Sequence, residues 1–193
     1  MKIKSIFIAS AMVIIISSLI HFLVPNSLEL MALSGAKFLA GEFWRILTFS
    51  FTHLNANHLF ENIIALGIVS VLGYEFGLHG KQFLVYFAAT SIIVALTDIF
   101  LFPLLVIAGA SLGTYGVLGA LSIKGSNFMP KKYLIPLLGL SIFIKSFLSM
   151  ISCQSCNTDL GQSLFHFSGF VTGIFLVYIP RFKNKKYSTI KNR

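Results

Sequence analysis

Apolar residues run through this chain in long, almost uninterrupted blocks, separated by short clusters of Gly, Pro, Asn and Lys. The blocks near 5–24, 54–76, 82–102, 111–123, 133–151 and 163–180 are each continuous enough to read as buried or membrane-embedded helix. A bilayer core of roughly 30 Å takes about 20 apolar residues per helix, so the pattern predicts an all-α polytopic membrane protein with six transmembrane helices. The connections divide by length. Residues 25 to about 53, about 103 to 110 and about 152 to 162 fall on one side, while "FGLHGK" and "KGSNFMPKK" make short turns on the other. Short turns predict that consecutive spans are antiparallel neighbours. Within the longest connection, "GEFWRI" mixes apolar and charged residues as an interfacial segment does, and Trp44 and Arg45 suit the headgroup region.

Composition sharpens this picture. Hydrophobic residues make up 56% of the 193 and charged residues 11%, against about a quarter charged in soluble domains, and the mean hydropathy is +0.86. Lys2 and Lys4 precede the first block as in a signal peptide, but its length and its lack of a small-x-small cleavage site favour a retained span. With the N-terminus inside, twelve of the fifteen basic residues fall on the cytoplasmic side; only Lys37 and Arg45 lie in outer connections, and Lys145 lies within the fifth span. The expectation is a multi-pass protein of the cell membrane with both termini cytoplasmic, and the net charge of +9 reflects that topology and some affinity for anionic lipid. Nucleic acid is not an expected partner, because the basic tail has no folded reader attached.

The fourth block is short. Ser111, in "GASLGTYGVLGA", precedes Lys124 by 13 residues, which at 1.5 Å per residue is roughly 20 Å, so this helix is expected to start about 10 Å below the outer surface. Non-helical backbone at such depth must be buried in protein or line a water-filled cavity. The same count puts His166 of the sixth block roughly 22 Å, and Asn62 of the second roughly 20 Å, above the inner boundary, with His58 one turn above Asn62 on the same face. Four polar residues from three spans thus meet at one depth, where polar side chains are costly and are functional candidates by default.

Small residues allow the spans to close. His166, Gly169 and Gly173 form a stripe on one helix face, and Gly116, Gly119 and Ala120 do similar work on the fourth span. In this arrangement Ser111 is the nucleophile of a Ser/His dyad and His166 the base that takes its proton. His58 and Asn62 offer N–H donors to an oxyanion, together with the backbone N–H of Ser111. Tyr115, one turn below Ser111, is the candidate for holding the imidazole of His166.

These residues resemble the rhomboid family of intramembrane serine proteases. "WRILTFSFTHLNANHLFEN" is similar to the WR segment and HxxxN of that family, "GASLGTYGVLGA" to its GxSGxxxG, "HFSGFVTG" to its HxxGxxxG, and "GYEFG" to the close of its second span. The resemblance implies a single rhomboid-like membrane domain over 1–193, with basic cytoplasmic tails at 1–4 and 182–193. It also implies transmembrane proteins as substrates, cleaved in or near their membrane segments with no cofactor and no metal. Such a substrate would enter laterally near the second and fifth spans. Leu112 departs from the pattern, standing where the family usually has glycine. A glycine there permits close backbone approach or a tight turn beside the nucleophile, so the leucine is expected to alter the contour of the oxyanion hole or of the adjacent cleft.

Other readings of these residues are structural. Ser111 suits a helix N-cap, His166 a packing histidine and Asn62 an interhelical hydrogen bond. His53, His21 and His79 read as loop or interfacial residues, and Glu61 has no assigned role. Asp98 and Lys145 sit near the outer ends of their spans, where a mutual ion pair is possible. Cys153 and Cys156 occupy an outer loop, where a disulfide is the first expectation, since one CxxC supplies only two of the four ligands of a zinc site. The rival functions are a rhomboid-like protein that binds membrane proteins without cleaving them, a sortase-like rhomboid acting on C-terminal anchors and, more distantly, a small-solute channel. The oligomeric state has no signature in the sequence.

Overall fold

The computed structural model describes residues 4–152 and 157–179. In chain order the helices are α1 (Lys4–Leu23), α2 (Ser27–Met31), α3 (Gly35–Leu39), α4 (Arg45–Thr48), α5 (Ala56–Glu75), α6 (Gly80–Leu101), α7 (Ser111–Lys124), α8 (Lys131–Ser152) and α9 (Asn157–Tyr178). The six apolar blocks coincide with α1 and α5 to α9. Three described helices, over Ser5–Leu23, Ala56–Glu75 and Gly80–Leu101, are long and apolar enough to cross a membrane. The expected disulfide between Cys153 and Cys156, the side chain of Lys145 and, apart from Lys4, the basic tails lie outside the described residues.

Helix α7 is the hub. It packs against α5, α6, α8 and α9, and every residue from Leu112 to Ile123 except Tyr115 is buried. Val117 and Leu121 share one apolar core cluster with Leu66, Phe83, Phe87, Ile142 and Phe170. Glycine makes the closest contacts possible. A Cβ on Gly119 would collide with the Phe170 carbonyl, one on Gly173 with the Gly116 carbonyl, and one on Gly169 would come 2.9 Å from the Leu112 carbonyl oxygen. Gly116 serves two partners, since a Cβ there would strike Thr90 of α6 while its carbonyl receives Gly173 of α9. Such backbone approach is how helices associate where lipid removes the hydrophobic driving force between them.

The expectation that all consecutive long helices are neighbours fails at one place. α5 and α6 do not pack along each other; α1 packs against both. The cause lies in Gly73 near the end of α5 and Gly80 at the start of α6. A Cβ on Gly73 would strike Ile6, and one on Gly80 the Ser5 carbonyl, so both helix ends are cut to receive α1. The Gly80 N–H donates to Ser5 Oγ at 3.1 Å, and Gly77 (φ 69°) turns the chain between α5 and α6. His79 is the N-cap of α6, in a reciprocal pair with Gln82.

The long first connection is ordered by short helices and by one arginine. Trp44 is about half exposed, as an interfacial residue would be, and its Nε1 donates to the Leu30 carbonyl at 3.3 Å. Arg45 corrects the headgroup expectation, because it is buried at 3% exposure. Its Nη1 donates to the Ala32 carbonyl at 2.7 Å, and its Nε and Nη2 both donate to Glu42 Oε2. The planar guanidinium can be buried here because it meets a carboxylate along one edge and a carbonyl from another nitrogen. Beside it, Leu33 pairs with Ile107 and Ser34 with Val106 in a two-residue antiparallel bridge, β1 (Leu33–Ser34) with β2 (Val106–Ile107). So short a pair leaves no alternating pattern in the sequence, yet it ties the first connection to the segment that leads into Ser111.

Candidate active site

The approach to Ser111 is a turn built on Gly109. This residue has φ 106°, a conformation that L side chains rarely adopt. Its N–H donates to the Phe49 carbonyl at 2.9 Å, which anchors the turn to the first connection. A Cβ at Gly109 would lie 2.7 Å from Cε1 and 3.1 Å from Nε2 of His58, and 3.7 Å from Nδ2 of Asn62. The missing side chain is therefore what lets His58 and Asn62 close on the chain two residues before the candidate nucleophile. In the sequence the available signal for this role is a glycine two residues ahead of the candidate nucleophile.

On α5, Asn55 caps the helix, its Oδ1 accepting from the His58 N–H at 2.9 Å. Asn62 is buried, and its Nδ2 donates to the His58 carbonyl at 2.8 Å. That bond uses one amide hydrogen and fixes the plane of the amide; the second hydrogen belongs to the same nitrogen that faces Gly109. Glu61, next in sequence, is exposed while Asn62 is buried, as their 100° separation around the helix requires.

Helix α7 starts at Ser111, with Ala110 as a cap residue that offers no side-chain hydrogen bond. The N-cap alternative for Ser111 is thereby removed: the serine is the first helical residue and its hydroxyl does not cap. The uncapped first turn leaves backbone N–H groups of Ser111 and Leu112 without intrahelical acceptors. From Ser111 to Ile123, only Ser111 and Tyr115 are partly exposed. Lying at i and i+4, they share one face, the only open one along this buried stretch.

That face meets α9. The ring of Tyr115 lies 4.4 Å, centroid to centroid, from the imidazole of His166, with 30° between the planes. His166 is buried at 5% exposure, and Gly169, one turn on, rests against the Leu112 carbonyl. The structure thus places Tyr115 of α7 against His166 of α9, and His58 and Asn62 against Gly109, two residues before Ser111.

Leu112 requires no glycine. It is helical with an ordinary φ, and its side chain is buried in a second apolar cluster with Leu33, Phe49, Val94, Ala95, Ile99 and Ile107. This cluster holds both strands of the bridge and the residue that accepts from Gly109. The leucine therefore anchors the start of α7 to the first connection.

His53 lies in the loop before α5, as expected, and packs against His58. It is 2% exposed, and its ring meets that of His58 edge-on, with centroids 5.2 Å apart and 65° between planes. Burial, then the neighbouring His58, depress its pKa from 6.5 to about 4; the Phe51 carbonyl pulls weakly the other way and His21 adds to the depression. His53 is thus neutral at physiological pH. A pair of histidines five apart, on either side of a helix cap, was the available signal. Among the described residues no group of His, Cys, Asp or Glu is arranged to hold a metal ion. Asp98 is buried, and its Oδ2 has no hydrogen-bond partner among the described residues.

The family model of the rhomboid domain matches residues 40–181, which take in both sides of this site and all of α7. The chain belongs to the rhomboid family. No curated protein matches it in sequence. As a rhomboid it is a membrane protein of an intramembrane protease family, and the matched region begins within the first connection and ends just beyond α9.

Proposed function

We propose that this rhomboid protein is a serine endopeptidase that cleaves other membrane proteins in or near their transmembrane segments. The observation that carries the reading is the open face of α7. In a stretch of helix otherwise buried, Ser111 is left partly exposed one turn from a tyrosine whose ring lies against His166, with His58 and Asn62 against Gly109 two residues before the serine.

In the mechanism that follows, His166 takes the proton of Ser111 Oγ as the serine attacks the scissile carbonyl. Tyr115 limits rotation of the imidazole by lying against it. The negative charge that develops on the carbonyl oxygen is received by the Ser111 backbone N–H, His58 and the Asn62 amide. His166 then protonates the leaving amine, and water, deprotonated by the same histidine, releases the acyl group and regenerates Ser111. The chain carries all the groups this chemistry uses.

The same reading places six spans in the cell membrane with both termini cytoplasmic, so that α7 starts below the outer surface and Ser111 lies within the membrane. Basic residues concentrated at the inner ends support that orientation.

The test is labelling of the detergent-solubilised protein with a fluorophosphonate probe. Wild type is expected to label, and Ser111→Ala and His166→Ala are expected not to. No labelling of folded wild type, or labelling that survives both substitutions, would sink the proposal and favour a rhomboid-like protein that binds without cleaving. On a transmembrane substrate, Asn62→Ala should lower kcat on the order of 10²-fold, the scale on which one oxyanion donor contributes.

A further inference from the structure

We infer that His53 is a positioning residue that holds the His58 imidazole against Gly109. The inference rests on the protease reading, to which it adds a residue that touches no substrate.

The geometry has three parts. The His58 ring has Gly109 on one side, close enough that a Cβ there would lie 2.7 Å from its Cε1. The edge-on ring of His53 is a second wall at 5.2 Å. Below, the His58 main chain is fixed at both its polar groups, the N–H by Asn55 and the carbonyl by Asn62. A histidine on the first turn of a helix can reach more than one staggered side-chain position. The backbone bonds do not choose among them, whereas a buried ring beside the imidazole removes those that would overlap it. The Gly109 N–H is in turn bonded to Phe49, two residues before Phe51 and four before His53. One short segment therefore sets both walls of the slot.

Burial suits the role. His53 stays uncharged until about pH 4, so at neutral pH it acts on its neighbour through the shape of its ring and not through a net charge. The contact is between rings. An aromatic side chain of similar size should therefore replace it and a small one should not.

The experiment is a double-mutant cycle on kcat in the full-length protein in detergent. His53→Ala is expected to lower kcat about 10-fold with KM within about twofold, and His53→Phe to restore most of the loss. In a His58→Ala background, His53→Ala should have little further effect, since coupled residues are non-additive. The side-chain resonances of His58 in histidine-labelled protein should shift in His53→Ala and return towards wild type in His53→Phe. An equal loss in kcat with and without His58, or a fall in thermal stability with unchanged His58 resonances, would overturn the inference. If wild type neither labels nor cleaves, the protease reading fails, and the His58 resonances alone then decide whether His53 positions that ring.

Discussion

Position 112 shows what a side chain can do where a motif expects none. A glycine at the start of α7 would leave the space among Leu33, Phe49, Ile99 and Ile107 unfilled. Leu112→Gly should therefore destabilise the protein by about 3 kcal/mol, in the range of buried leucine truncations with a helix-propensity cost added. Thermal unfolding in detergent checks this, and a variant as stable as wild type would mean that the pocket collapses without cost. Glycine at 109 is required for the opposite reason. Its φ of 106° and the His58 ring above it leave no conformation or space for a Cβ. The motif residues Ser111, His166, His58 and Asn62 were legible from type and spacing because chemistry restricts which residues can serve. His53 and Leu112 were not, because packing accepts many residues, and only the neighbours reveal what a given one touches.

At the scale of elements, the α7–α9 contact is made by backbone against backbone. Gly119 meets the Phe170 carbonyl and Gly173 that of Gly116. Gly173→Val is expected to cost at least about 3 kcal/mol, since overpacking at a rigid backbone contact has no side chain to yield. It should also abolish fluorophosphonate labelling, because His166 rides on the same helix two turns earlier. Retained labelling with normal stability would show that α9 can withdraw without disturbing the site. The first connection is held differently, by Arg45. Its guanidinium is buried and paired with Glu42 and Ala32, so Arg45→Ala should destabilise by about 2–3 kcal/mol, less than a fully buried pair because Glu42 is partly exposed. A change below about 0.5 kcal/mol in thermal unfolding would place that arginine among surface ion pairs. The helical blocks were readable, as was the small-residue stripe of α9. The α1 wedge between α5 and α6 was not, because Gly73 and Gly80 look like ordinary punctuation until Ile6 and Ser5 are seen against them.

For the whole molecule, the proposed orientation has its own measurement. Single cysteines introduced at Ser126 and at Leu104 should react with a membrane-impermeant thiol reagent from opposite sides, Ser126 only after the cytoplasmic face is opened. This uses a background in which Cys153 and Cys156 are replaced; the reverse pattern would invert the topology. Within such a frame α7 is central, touching four long helices, and its one partly open face carries the candidate chemistry. The sequence by itself determined the helical class, the membrane setting and the identity of the polar residues, because apolar length and rare polar types are properties of single segments. The tertiary structure decided what no segment contains: that α1 separates α5 from α6, that a two-residue bridge and a buried arginine tie the first connection to the turn before Ser111, and that His53 backs His58. Each of these is a contact between residues far apart or differently oriented along the chain. Close packing fixes such contacts through the shapes of both partners, and neither partner's own sequence records the other.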